Sequence, residues 1–234
     1  MFISCDRPNL SFRSSLVDGK KIIILAGCEH KTGTEPEVSN PYSYLESIAK
    51  KMDPHCKILY HWSTEDCISV DKIPYIGNFS TFYPNLYLAT GFKKWGMTFS
   101  HIAAQILTDT ILGKENSYAN LFSSTRYSPI QNKEEVKNIV KESVQSLFLN
   151  KLSISELDLS SLKNGDGDVF EIKNQKLGVY RDENGKLYGV KPICSHLGCE
   201  VSWNDVDKTW DCPCHGSRFN YKGECISEPA IKDL

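Results

Sequence analysis

The apolar positions change their spacing twice along the chain. Between Ser11 and Gly27 two short apolar runs flank Asp18-Gly19, a favoured pair in two-residue hairpin turns, so two antiparallel strands are expected there. The second run, Ile22-Ile23-Ile24-Leu25-Ala26-Gly27-Cys28, is the longest unbroken apolar stretch and reads as a buried strand. It falls far short of the roughly 20 residues that span a bilayer. Pro41 to Met52 predicts a helix, with Asn40 as its cap and Pro41 at its first position. Cys56 to Glu65 and Asn85 to Thr90 read as strands. Ile102, Ile106 and Leu107 recur at helical spacing within Thr98 to Leu112, and Gly113 follows as a stop. Lys133 to Leu152 predicts a connecting helix whose stripe of Val136, Ile139, Val140, Val144, Leu147 and Phe148 packs on a domain or else meets a partner. From Ser153 onward short apolar stretches alternate with turn signals at Asn164-Gly165, Asn184-Gly185, Asn204-Asp205 and Lys222-Gly223. That spacing suggests a small antiparallel sandwich or barrel. The expected organisation is an α+β domain over residues 1–128, a connecting helix over 129–152, and an all-β domain over 153–234.

Charge and composition narrow the partners. A net charge of −2 provides no basic field for nucleic acid or an anionic membrane surface. Met1 to Asp6 shows no basic stretch followed by an apolar one, so a cytoplasmic location without a signal peptide or membrane span is the expectation. Nine cysteines cannot all pair within one chain. Cys5, Cys28, Cys56 and Cys67 are scattered, as small buried hydrophobes are. The other five crowd the last forty or so residues, together with two histidines.

That crowd has an internal order. Cys194-Ser195-His196-Leu197-Gly198-Cys199 is followed, with fifteen residues between His196 and Cys212, by Cys212-Pro213-Cys214-His215-Gly216-Ser217. Each six-residue box offers one thiolate and one imidazole close together. A zinc finger more often groups its cysteines at one end and its histidines at the other. Matched Cys/His pairs on two loops suit a dinuclear cluster in which one iron takes Cys194 and Cys212 and the other takes His196 and His215. Mononuclear zinc is the alternative that uses the same donors.

The two boxes resemble the Rieske iron–sulfur family, over about Ser155 to Leu234, and match the subtype found in quinol-oxidising respiratory and photosynthetic complexes. The resemblance implies a [2Fe–2S] cluster on those four ligands and a disulfide between Cys199 and Cys214 that staples the loops; two free buried cysteines are the alternative. It also implies that Ser217 donates a hydrogen bond to a cluster sulfide and that Pro229-Ala230 belongs to a loop over the cluster. High-potential members carry a tyrosine where this chain has Phe219, so the resemblance implies a lower potential here. Two imidazoles in place of two thiolates make such a cluster less negative and easier to reduce.

The first region holds one dense patch, Asn85 to Thr98, in which a strand runs through Gly91 and Gly96 into a helix start. Such a turn brings backbone N–H groups and a positive helix end toward a ligand; it equally suits a simple packing turn. Asn85 to Leu112, with His61 to Asp66, Ile73 to Gly77 and Leu121 to Arg126, resembles the latter part of FAD-dependent oxidoreductases of the D-amino-acid oxidase and glycine oxidase type. The resemblance implies that Gly91, Phe92, Lys93, Gly96, Met97 and Thr98 line the flavin ring. The glycine-rich dinucleotide loop with which those enzymes begin has no counterpart here, so weak FAD retention is expected of this chain. A bacterial subgroup joins such a flavoenzyme to a Rieske domain. The implied function is electron transfer coupled to flavin-dependent oxidation of an amine or amino acid, with an unspecified electron acceptor. A stand-alone Rieske electron carrier and a structural zinc protein are the competing readings.

Overall fold

The protein is described by a computed structural model covering residues 1–4, 8–126, 137, 141, 161–172 and 175–234. The expected helix at Lys133 to Leu152 lies outside the described residues except at Lys137 and Lys141. The fold has the expected character, mixed helix and strand toward the N-terminus and almost wholly strand toward the C-terminus. In space the chain forms two compact units. One unites Met1–Ser63 with Ser143–Leu234; the other is Thr64–Glu142.

In the first unit, β1 (Phe2–Ile3), β2 (Ser11–Val17) and β3 (Lys20–Ala26) form an antiparallel sheet. Asp18 and Gly19, both at positive φ, turn β2 into β3, as the sequence predicts. Helix α1 (Pro41–Met52) starts where expected, with the Asn40 side chain accepting the Ser43 N–H at 2.9 Å. The apolar run in β3 is not buried, however: Ile23 is 54% and Ile24 37% exposed. Ile23 and Ile24 point to opposite faces of the strand, so neither face at this point is fully covered, although α1 contacts β3.

The C-terminal part holds two small antiparallel sheets. β6 (Gly167–Ile172), β7 (Gln175–Arg181) and β8 (Leu187–Val190) make one. β9 (Ser202–Asn204), β10 (Thr209–Asp211), β11 (Arg218–Asn220) and β12 (Cys225–Ser227) make the other, in the order β12-β11-β10-β9. Trp210 and Phe219, directly paired across β10 and β11, are both 0% exposed and anchor the core. Trp203 lies against Trp210 with ring centroids 4.7 Å apart and against Tyr180 at 4.9 Å, joining the sheets. A Cβ at Gly167 would come within 2.5 Å of the Trp203 ring, so β6 needs glycine to let the indole lie against its backbone.

In the second unit β4 (Tyr75–Ser80) and β5 (Tyr83–Thr90) form a hairpin on which α2 (Gly96–Ile111) and α3 (Ala119–Phe122) pack. Ile76, Ala103, Ile106 and Phe122 are its buried core. The expected strand at Cys56 to Glu65 does not form: no ladder partner runs beside it among the described residues, and Leu59, Tyr60 and Trp62 are exposed. A strand without a neighbour has nothing to satisfy its backbone groups except water. Cys67 is likewise exposed rather than buried, whereas Cys28 is buried.

Arg126 ties this unit together. Its guanidinium forms a two-pronged pair with Asp71 at 2.8 and 2.9 Å, donates to the carbonyls of Ile73, Pro74 and Ser123, and lies 4.0 Å from the centre of the Tyr75 ring. The Arg126 hydrogen bonds hold the Asp71 carboxyl below its ordinary pKa. A depressed carboxyl contributes stability above its unfolded pKa of about 3.9, and that contribution is lost as pH falls through the lower folded value. Arg126→Met is expected to cost about 3 kcal/mol by stranding Asp71. Thermal melts from pH 7 down to pH 2 check both points, since the variant also loses the Asp71–Arg126 share of the acid limb.

Candidate metal centre

The two cysteine–histidine boxes close in the same way. In the first, the Cys194 N–H donates to the Cys199 carbonyl at 2.7 Å and the Gly198 N–H donates to the Cys194 carbonyl at 3.0 Å. In the second, the Cys212 N–H donates to the Ser217 carbonyl at 2.8 Å and the Gly216 N–H donates to the Cys212 carbonyl at 3.0 Å. The fifth residue of each box, Gly198 or Gly216, sits at positive φ, at 79° and 85°. Each of these backbone conformations suits glycine and disfavours a side chain. The two loops are therefore matched structures, not merely matched sequences.

Cys199 and Cys214 join them in a disulfide, with sulfurs 2.20 Å apart. Beside it lie Cys194 and Cys212, 2% and 1% exposed. The sulfurs of Cys199, Cys212 and Cys214 fall within 4.8 Å of one another. Two of that trio are spent on the disulfide, so it offers a metal only the Cys212 thiolate. The cysteine donors that remain in the two boxes are Cys194 and Cys212.

Burial pushes the Cys212 thiol up to about 11; backbone hydrogen bonds from Cys214 and His215 pull against that shift, while the neighbouring Cys194 reinforces it. Without a metal Cys212 is therefore a neutral thiol at pH 7, and metal binding must release its proton. The rings of His196 and His215 lie 5.0 Å apart at 82°, both on exposed residues. Burial, the charge of His196 and the charge of Lys31 all lower the His215 pKa, which favours the neutral imidazole that a metal requires. The donor set is two buried sulfurs and two surface imidazoles on stapled loops. Two irons differing in ligand type fit it, because each pair can serve one metal.

The C-terminal loop completes the surroundings. Ala230 is 2% exposed, and its N–H donates to Ser217 Oγ at 3.0 Å. Ser217 acts there as an acceptor, so its hydroxyl proton can be offered elsewhere. The Ala230 carbonyl accepts from Cys225 Sγ at 3.0 Å, and Ser195 Oγ donates to the Lys232 carbonyl. Cys225 is thus half-buried against the core and engaged with this loop. Phe219 fills the core and carries no polar group toward the loops. His30, His55, His61 and His101 take no part in the two boxes; His61 stacks on Tyr42 instead.

The second loop stands on a polar foot that the two boxes do not announce. Asp211 and Arg218 are register partners on β10 and β11, immediately outside Cys212 and Ser217. Arg218 Nε donates to Asp211 at 3.1 Å, and the Thr209 hydroxyl and Asn204 side chain also donate to Asp211. An acid and a base flanking the second box symmetrically were the available signal.

The flavin-associated residues lie in the second unit. Gly91 and Lys93 take positive φ, 76° and 51°, where β5 turns toward α2. Gly91 is buried, Phe92 and Lys93 are half-buried, and Met97 and Thr98 are exposed. Helix α2 begins at Gly96 without a side-chain cap, and a Cβ at Gly96 would meet nothing within 4 Å. The turn is open at its helix end and offers uncapped N–H groups there.

Comparison with known proteins agrees with both regions. Residues 154–234 match the Rieske [2Fe-2S] domain, and residues 5–110 match the FAD dependent oxidoreductase family. The chain joins an FAD-dependent-oxidoreductase-like domain to a Rieske [2Fe-2S] domain. It is 41% identical over its whole length to the "Putative Rieske 2Fe-2S iron-sulfur protein YhfW" of Bacillus subtilis (strain 168), and spans 46% of that protein. It is 43% identical over 58 residues to the chloroplastic cytochrome b6-f complex iron-sulfur subunit of Fritillaria agrestis, a stretch covering 25% of each. The solved plasma-membrane Rieske protein PetC3 from Synechocystis PCC 6803 matches at 32% identity over 29% of this chain and 70% of that one, with a TM-score of 0.27. Among the described residues no helix is long and apolar enough to cross a membrane.

Proposed function

We propose that this protein carries electrons on a Rieske [2Fe–2S] cluster, with Cys194 and Cys212 on one iron and His196 and His215 on the other. One observation supports this most directly: two loops with the same closure, stapled by Cys199–Cys214, each carry one buried cysteine and one exposed histidine, and the two histidine rings lie 5.0 Å apart. The cluster supplies one-electron chemistry. The protein buries the sulfur end, holds the loops fixed, and leaves the histidine end at the surface as the route for electrons. Ser217, whose oxygen accepts from Ala230, would donate its hydroxyl proton toward the cluster. Iron and acid-labile sulfide in equal amounts, two of each per chain, are the expected analysis of protein purified without oxygen; zinc without sulfide would contradict it.

Phe219 sets the expected potential. A tyrosine there offers one more hydrogen bond to a charged acceptor, worth about 1.5 kcal/mol, or roughly 60 mV for one electron. Phe219→Tyr is expected to raise the midpoint potential by up to that amount, read by voltammetry. No change would remove Phe219 from the account.

A flavin-linked reading has its own support, the family match over residues 5–110 and the open turn at Gly91 to Gly96. In a longer protein of this kind, Gly91, Phe92, Lys93, Gly96, Met97 and Thr98 would hold the ring end of FAD, and an amine or amino acid would be its reductant. The electron carrier is the better-supported function, because the Rieske match covers both cysteine–histidine boxes and the loops that carry them are stapled together, whereas the flavin reading rests on a family match and an open turn. Protein that retains stoichiometric FAD through gel filtration would reverse that ranking. A cytoplasmic setting fits both readings and is part of this proposal.

A further inference from the structure

The foot of the second cluster loop is wired to the N-terminal segment of the same compact unit. Asp207 accepts from three donors: the Tyr42 hydroxyl at 2.7 Å, the Ser63 hydroxyl at 2.7 Å and Arg218 Nη2 at 2.7 Å. Arg218 is in turn shared. Its Nη1 reaches Ser63 Oγ at 3.0 Å, its Nη2 also reaches Thr209 Oγ1 at 3.0 Å, and its Nε reaches Asp211. Every hydroxyl here has both a donor and an acceptor role except that of Tyr42, which donates. Tyr42 is further held by stacking on His61, with centroids 4.5 Å apart and an 18° tilt. Burial raises the Asp207 pKa, but Tyr42, Ser63 and Arg218 together outweigh it, and the carboxyl stays ionised.

A second contact, independent of that network, falls on the cluster loop itself. Gly33 sits at φ 73°, and a Cβ on it would lie 2.5 Å from the Pro213 nitrogen, 2.8 Å from the Pro213 Cα and 2.9 Å from the Cys212 carbonyl carbon. Backbone therefore packs on backbone between a proposed ligand and the disulfide cysteine. An ordinary surface loop does not need such an approach.

We propose that residues 28–63 are a built-in brace for the second cluster loop, seated on Cys212-Pro213 through Gly33 and clamped to Asp207 and Arg218 by Tyr42 and Ser63. Residues 28–63 and the Rieske part, which belong to the same compact unit, then act as one body at this contact. The loop between Cys212 and Ser217 keeps its geometry because the N-terminal segment is docked. The consequence for a cluster rests on the electron-carrier reading above, but the brace itself is a property of the polypeptide.

Two substitutions on the N-terminal side test it without touching the Rieske part. Gly33→Ala adds the Cβ that Pro213 excludes, and Tyr42→Phe removes one donor from Asp207. Hydrogen exchange on the full chain is followed by mass spectrometry at residues 28–34, 212–217 and, as a control for the fold, 175–190. Both variants are expected to speed exchange at 28–34 and also at 212–217, by about tenfold for Tyr42→Phe, the loss of one hydrogen bond to a charged group. Gly33→Ala is expected to change the low-temperature EPR line shape of cluster-loaded protein as well. Unchanged exchange at 212–217 in both variants, with 175–190 protected, would overturn the brace. Wild-type protein that exchanges as expected but gives no Rieske signal would leave the brace standing and sink the electron-carrier reading instead.

Discussion

Cys212→Ala is expected to abolish the cluster: purified protein loses its visible absorption and its iron. Cys212 is 1% exposed and sits at the meeting point of the two boxes, with the disulfide sulfurs within 4.8 Å. With Cys194 and Cys212 on one iron, as proposed, its replacement would leave that iron a single cysteine thiolate, and neither Cys199 nor Cys214 can stand in while they are bonded to each other. Loss of cluster with retention of fold is the informative result, so circular dichroism belongs beside the metal analysis. The cavity left by the sulfur is small, and the β10–β11 pairing on either side of the loop does not depend on it. The companion variant Cys225→Ala should keep the cluster, because Cys225 sits on the Ala230 carbonyl and outside both boxes.

Arg218→Met should be the most destabilising single change in the Rieske part. Asp211 has a side chain only 4% exposed, and Asp207 18%. Both carboxylates lean on the same guanidinium, itself 11% exposed. Removing the cation strands two partly or fully buried anions, and breaking one such pair costs about 3–5 kcal/mol. For a chain of this size that corresponds to a fall in melting temperature of roughly 10 °C. Burial works against the Arg218 charge, but Asp211 and Asp207 outweigh it and hold its pKa above the ordinary value, so no accessible pH mimics the variant. Arg218→Lys should recover part of the loss, since an ammonium supplies charge but cannot reach four oxygen partners in the same fork. A melting temperature within about 2 °C of wild type for Arg218→Met, against that expectation, would mean the network is not structural.

Local signals carried well from sequence to structure. Asp18-Gly19 set a hairpin, Asn40-Pro41 started a helix, and the two six-residue boxes became two matched loops, because each depends on residues adjacent in the chain. The failures are all questions of what lies alongside. Cys56 to Glu65 has strand composition, yet a strand exists only if a neighbour runs beside it. Ile23 and Ile24 read as core, but a face is buried only when something covers it. Tyr42, Ser63 and Asp207 gave no sign in the sequence, since they meet across 144 and 165 residues of chain. The Asp211–Arg218 pair was closer to legible: both residues abut the second box, and strands leaving a loop bring its two flanks together.

The most direct test of the central claim is the EPR spectrum of dithionite-reduced protein, purified without oxygen and recorded at low temperature. A [2Fe–2S] cluster with two histidine ligands is expected to give a rhombic signal, integrating to about one spin per two irons, whose average g value lies below that of an all-cysteine cluster. A signal of the all-cysteine type, or a protein that holds zinc and is silent, would contradict the assignment of His196 and His215.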